Sequence, residues 1–177
     1  MSPKVLRSLM IVLLIAANIA CDQVSKNVAR EEISDTDRIE VLGKNLMLMK
    51  VENKGAFLGL GKDLPIWLKN VLLLGLPAVV MVGLFFYLLF NNKLSRNTIV
   101  ALTFIVGGGI GNLYDRILYG SVTDFLFMDF ELFRTGIFNM ADVSVMVGTG
   151  LILVESFFTK KKPKEDAATP AEEAPEA

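Results

Sequence analysis

The chain contains no histidine and a single cysteine, Cys21. Without histidine it cannot build a Ser-His-Asp triad, a Cys-His pair or an H-E-x-x-H zinc site. One cysteine permits neither an internal disulfide nor a thiolate zinc cluster. Positive charge is not in excess either: 18 Lys and Arg stand against 19 Asp and Glu, for a formal net charge of −1. These residues are scattered along the chain with no basic stripe, so nucleic acid is not an expected partner. Carboxylates remain for hydrolytic chemistry, in a site expected to need no cofactor and no metal.

What the chain has in excess is apolar surface. With 53% hydrophobic and 21% charged residues and a mean hydropathy of +0.50, it is too apolar for an ordinary soluble domain and reads as a polytopic membrane protein. Roughly 20 residues at about 1.5 Å each cross a hydrocarbon core. Four stretches qualify: about Ser8 to Cys21, Val71 to Phe90, Thr98 to Tyr114 and Ile137 to Phe158. The first is short, and its helix is expected to continue through Asp22-Gln23-Val24-Ser25-Lys26. Trp67, just before the second, suits an interfacial anchor. Gly107 and Gly111 in the third have the small-x-x-x-small spacing that lets helix backbones approach, and Ser144 and Gly148 repeat it in the fourth.

The connections differ in kind. Asn91 to Asn97 is a short polar turn. Within the long segment Asp22 to Asn70, Ile39 to Leu42 and Leu46 to Val51 read as strands around the turn Gly43-Lys44-Asn45, so residues 22–70 are expected to form a β-cap on the membrane surface. Ile117 to Gly136 mixes Phe125, Phe127, Phe130 and Phe133 with Asp124, Asp129 and Glu131 and reads as an interfacial segment. Lys160, Lys161, Lys162 and Lys164 follow the last span, and the Ala/Glu/Pro tail over 159–177 is too polar to order itself. Residues 1–158 are thus expected to form one membrane domain, an all-α four-helix transmembrane bundle with a small extracytoplasmic β-sheet cap. Lys4 and Arg7, Lys93 and Arg96, and the lysine cluster sit tightly against span ends, which favours both termini in the cytoplasm.

The N-terminus imitates a lipoprotein signal peptide, with Lys4, Arg7, an apolar run and then Asn18-Ile19-Ala20-Cys21. Asn18 stands where an aliphatic residue is expected and three further spans follow, so the first span is expected to be retained.

Ionisable groups inside a span cost roughly 2.5 to 3.5 kcal/mol each on insertion scales, so one that persists needs a reason. Asp142 is that case, with Asn139 three residues earlier on the same helical face. Span three ends in Gly111-Asn112-Leu113-Tyr114-Asp115-Arg116, with Asn112 and Arg116 on one stripe. Asp124 follows in Val122-Thr123-Asp124-Phe125. A single connection joins spans three and four, so Asp124 and Asp142 lie on the same side of the bilayer. Two neighbouring carboxyls share one proton; the ionised member can activate water while the protonated one polarises a scissile carbonyl. For Asp142 the alternatives are a buried pair with Arg116 or a helix-capping role, and for Asp124 an ordinary loop carboxylate. Glu155 is expected to snorkel toward the lysine cluster, and Asp115, Asp129 and Glu131 to be interfacial surface. A transport protein relaying protons would need an aqueous path across the whole membrane, whereas these acids gather at one face. A non-catalytic scaffold would have no use for the pair.

In five motifs the chain resembles the lipoprotein signal peptidases, also called signal peptidase II, of bacterial inner membranes. The motifs are Asp22-Gln23-Val24-Ser25-Lys26, Glu52-Asn53-Lys54-Gly55-Ala56-Phe57, Gly108-Gly109-Ile110-Gly111-Asn112-Leu113-Tyr114-Asp115-Arg116, Val122-Thr123-Asp124-Phe125 and Phe138-Asn139-Met140-Ala141-Asp142, within about Leu6 to Phe158. The resemblance implies an aspartyl endopeptidase with Asp124 and Asp142 as its catalytic dyad at the periplasmic face. It implies cleavage of prolipoproteins immediately before a diacylglyceryl-modified cysteine, in contact with membrane lipid, using water and no metal. Asn53, Gly55, Asn112, Arg116 and Asn139 match positions lining the family's pocket for substrate and for cyclic peptide inhibitors such as globomycin. Asp22, Lys26, Gly108 and Ala141 match supporting positions. The run Asn53-Lys54-Gly55-Ala56-Phe57 is one alanine shorter than in many members, which leaves the loop around Phe57 in doubt. The tail has no counterpart in the family pattern.

Overall fold

The computed structural model describes residues 1–56, 60–61, 63–130 and 132–158. Phe57, Glu131, the lysine cluster and the tail, 159–177, lie outside the described residues, as does everything expected of them. Helix α1 spans Pro3–Glu32; Ser2 caps it by accepting the Val5 N–H, and Pro3 occupies the first turn, where its missing N–H costs nothing. The expected continuation through Lys26 is therefore present and runs about a turn and a half further. The second span, Ile66–Phe90, consists of α2 (Ile66–Lys69), a π-helical segment over Asn70–Gly75 and α3 (Leu76–Phe90). Pro77 explains the wide turn: it lacks an N–H, and its ring crowds the carbonyl one turn back. Helix α4 spans Arg96–Tyr119, with Ser95 accepting the Thr98 N–H at its start and Gly120 closing its end at φ +70°. Arg96 and Asn97, read as part of the polar turn, thus open this helix. Helix α5 spans Met140–Phe158, three residues later than expected.

Among the described residues, four helices are long and apolar enough to cross a membrane. Their shared core is apolar, with Ile11 and Ile15 of α1, Leu88 of α3, and Ile99, Leu102 and Val106 of α4. Val79 and Phe90 of α3 remain 71% and 74% exposed, which suits a lipid environment. Small residues let the helices approach. A Cβ on Gly108 would overlap the Ala141 carbonyl oxygen of α5, and one on Gly111 would overlap the Asp22 carboxylate of α1. At the end of the bundle carrying the N-terminus, Arg7 donates to the carbonyls of Leu88, Leu89 and Asn91 and so caps α3.

Among the described residues, the sheet has four antiparallel strands in the order β1 (Ile39–Glu40), β2 (Leu46–Asn53), β3 (Val122–Phe130) and β4 (Phe133–Arg134). Here the structure departs from the sequence reading in two ways. Besides the expected 22–26, residues 27–32 belong to α1 and not to the cap, and half of the sheet comes from the segment read as merely interfacial. The physical reason is that an isolated two-stranded hairpin is marginal. β2 gains its partner in β3, from Leu46↔Met128 to Asn53↔Val122. The register shifts between Leu48 and Val51. On the other edge the Phe125 and Leu126 N–H groups both donate to the Phe138 carbonyl. Such irregularities bend a strand and re-aim its side chains, and they fall beside Asp124.

Candidate active site

Three elements meet at the end of the bundle opposite Arg7: the far end of α4, the start of β3 and the first turn of α5. Asn139 precedes α5 and forms a reciprocal cap with Asp142. The Asn139 side chain accepts the Asp142 N–H at 3.0 Å, and the Asp142 carboxylate accepts the Asn139 N–H at 3.2 Å. The same Asn139 side chain donates to Asp124 at 2.6 Å and to Asn112 Oδ1 at 3.1 Å. One buried asparagine therefore bridges the two aspartates, one through its amide and the other through its backbone.

Each carboxylate has a second donor. Asn53, at the end of β2, donates to Asp124 at 3.0 Å. Its oxygen accepts the Gly55 N–H, which folds the turn beyond the strand. Asn112 donates to Asp142 at 2.9 Å. Arg116, one turn further along α4, donates to the Gly55 carbonyl at 3.0 Å and ties that turn to the helix. Asp124 is 4% exposed. Burial pushes its carboxyl up to about 6, assisted by the nearby Asp142 charge and opposed by the Asn53 and Asn139 hydrogen bonds and by Lys26.

Asp124, Asp142, Asn53, Asn112, Arg116 and Asn139 all line one cavity of about 660 Å³. Apolar side chains make up much of the remaining lining, with Leu72, Leu73 and Pro77 from the second span and Val143 and Met146 from α5. A polar end and an apolar body would suit an amphiphilic ligand.

Behind the cavity lies an ionic cluster in which Lys26, Asp22 and Asp115 are fully buried and Arg30 is half-buried. Lys26 Nζ is 2.8 Å from Asp22 and 3.2 Å from Asp115, and Arg30 is 3.0 Å from Asp115. Asp22 also accepts the Ala141 N–H at 2.8 Å and so fixes the first turn of α5 from α1. The residues expected to support the site are thus adjacent to it: Asp22 and Lys26 through charge, Gly108 and Ala141 through close backbone contact. Asp115 corrects the sequence reading, because it is 0% exposed, not interfacial surface. It accepts from Gln23 and from the Thr123 N–H as well. Its position, four residues after Gly111 and seven after Gly108, was the available signal, since that spacing puts it on the close-packed stripe of α4. Arg30, Thr123 and Glu52 were missed too: Arg30 and Glu52 both bond the Thr123 hydroxyl. Glu155 accepts from the hydroxyls of Ser95 and Thr98 at the start of α4, and Asp129 pairs with Arg134 at 2.9 Å.

A family model described as Signal peptidase (SPase) II matches residues 14–158. The chain belongs to the signal peptidase II family. It is 34% identical over 144 residues to the lipoprotein signal peptidase of Clostridium novyi (strain NT), a match covering 81% of this chain and 94% of that protein. To the lipoprotein signal peptidase of Borrelia duttonii (strain Ly) it is 38% identical over 133 residues, covering 72% of this chain and 76% of that protein. A solved bacterial membrane enzyme superposes with a TM-score of 0.77 at 24% identity, over 90% of this chain and 94% of the other. That similarity concerns the fold. Signal peptidase II is a protease family, and with four spans this member is a multi-pass membrane protein.

Proposed function

We propose that the protein is an aspartyl endopeptidase that removes signal peptides from prolipoproteins, cutting before a diacylglyceryl-modified cysteine, with Asp124 and Asp142 as its catalytic pair. Family membership supports the substrate class. The observation that carries the mechanism is the Asn139 bridge, which holds carboxyls from two segments against one cavity.

In this reading Asp124 holds the shared proton. Its burial and a carboxyl pushed up to about 6 support that assignment. Asp142, accepting N–H groups from Asn112 and Asn139 in the first turn of α5, is the ionised partner. A water molecule attacks the scissile carbonyl carbon while Asp142 takes its proton and Asp124 donates to the carbonyl oxygen. The tetrahedral intermediate then collapses as the proton on Asp142 passes to the leaving amine and Asp124 recovers its own. Lipid chains on the substrate would lie along Leu72, Leu73 and Met146. They leave one lipid environment for another, so the polar contacts of Asn53, Asn112 and Arg116 bear the recognition. Globomycin-type cyclic peptides should compete for the same space.

We assign the end bearing Arg7, Lys93 and Arg96 to the cytoplasm and the sheet and cavity to the periplasmic side of the inner membrane, as the family resemblance implies; the basic residues set tightly against span ends support that orientation. The test is purified protein in detergent with a lipidated precursor and with the same precursor unlipidated. Cleavage of the lipidated form alone is expected, abolished by Asp142→Asn and by Asp124→Asn. Retained cleavage in either variant refutes the dyad.

A further inference from the structure

Lys26 does more at this end of the bundle than balance buried charge. Its ammonium has three protons and no capacity to accept, and three acceptors surround it: Asp22 Oδ2 at 2.8 Å, Asp115 Oδ2 at 3.2 Å and Asn112 Oδ1 at 2.9 Å. The third contact fixes the sense of an amide. Asn112 has its oxygen facing a donor-only group, so its N–H₂ faces the other way, onto Asp142 Oδ1 at 2.9 Å. A flipped amide would set its N–H₂ against the ammonium and its oxygen against a carboxylate, both repulsive.

Asn139 donates to the same Asn112 oxygen, but at 3.1 Å and as a neutral group, whereas a charged donor makes the stronger bond. Lys26 is 0% exposed and stands behind Asn112, away from anything the cavity could hold. Its burial is costly and is a weak source of stability in itself. We propose that Lys26 is a positioning residue for the reaction, acting through Asn112 to keep an amide donor on Asp142. The inference rests on the aspartyl-peptidase reading above.

Two substitutions separate this role from a structural one. Lys26→Met and Lys26→Gln both delete the positive charge beside Asp22 and Asp115, but glutamine retains an N–H₂ that can face Asn112 Oδ1. Cleavage of a lipidated precursor by the full-length protein in detergent should show kcat lowered roughly 10- to 100-fold in Lys26→Met, the scale expected when a reacting group is misplaced, with KM little changed. Lys26→Gln should recover at least about tenfold of that loss. In an Asn112→Ala background, Lys26→Met should cause no further fall, because the group it acts through is gone.

Should either variant fail to fold, both are remade with Asp115→Asn, which removes one negative charge to match the positive charge lost at Lys26, and the same Gln-over-Met difference is expected. Equal kcat for Gln and Met, or an undiminished loss from Lys26→Met in the Asn112→Ala background, overturns the proposal. Asp142→Asn runs alongside: if that variant still cleaves, the peptidase reading itself falls, whereas its inactivity with equal Gln and Met rates sinks only the role given to Lys26.

Discussion

The buried carboxyl of Asp124 makes stability depend on pH with a definite sign. An Asp has an ordinary value of 3.8 and here is pushed up to about 6. Between about pH 4 and pH 6 the folded protein therefore keeps a proton that the unfolded chain has released. Where the native state binds more protons, stability falls as pH rises. The loss runs through that window and levels off above about pH 6. A displacement of about two units at roughly 1.4 kcal/mol each corresponds to about 3 kcal/mol, and at 4% exposure solvent screening does not erase it. Asp124→Asn removes the titration. Its absolute stability also changes, because one of the amide donors from Asn53 and Asn139 would then face another donor, but that offset does not vary with pH. The quantity to measure is the difference in unfolding free energy between Asp124→Asn and the parent, in detergent, from pH 4 to pH 7.5. The variant should gain about 3 kcal/mol relative to the parent across the window, and titrating groups that are not coupled to Asp124 cancel in the difference. Parallel curves for the two proteins would refute the claim that Asp124 is protonated in the folded state near pH 5.

Three further substitutions test the packing and capping. Gly108→Ala forces a methyl onto the Ala141 carbonyl oxygen; separating α4 from α5 should lower stability by about 1–3 kcal/mol and depress cleavage, read by thermal unfolding and by product formation. Gly150→Ala meets nothing within 4 Å, so it should be neutral or stabilise by about 0.5–1 kcal/mol with cleavage intact. Asn139→Ala removes the cap of α5 and the bridge between the aspartates together. Unfolding should become easier by about 1–2 kcal/mol and kcat should fall by about 100-fold or more, and a variant that loses stability alone would show that the bridge has no catalytic part.

The spans were legible because lipid exposure imposes long apolar runs, and their glycines because close backbone approach leaves no other choice. Asp142 stood out as an acid in such a run, although its position in the first turn of α5, capped by Asn139, makes it less deeply placed than the apolar run suggested. The sheet was half legible. β1 and β2 announced themselves through a turn with Gly43 at φ +55°, but nothing local in Val122 to Phe130 reveals a partner 69 to 82 residues away. Asp115 was misread although its spacing from Gly108 and Gly111 puts it on the close-packed stripe of α4. Its neighbours Tyr114 and Arg116 are polar-tipped and suit an interface, and only the packing of α1 against α4 shows that Lys26 and Arg30 wait on the other side.

The charges at this end of the bundle explain why a proton belongs there. Asp22, Asp115 and Asp124 are buried and Asp142 is half-buried, while Lys26, Arg30 and Arg116 supply three cations. With every group ionised the cluster would carry one excess negative charge in a poorly hydrated setting, and a single shared proton neutralises it. Lys26 is among the groups that hold the Asp124 carboxyl down. Removing that charge should extend the protonated range of Asp124 upward, so the stability window should end above about pH 6 in both Lys26→Gln and Lys26→Met, each compared with its Asp124→Asn double variant. Charge alone governs that window, and the amide donor governs turnover, so the two variants should agree in the first measurement and differ in the second. A window unmoved by either substitution would mean that Lys26 and Asp124 are not electrostatically coupled, and the neutrality argument would fail.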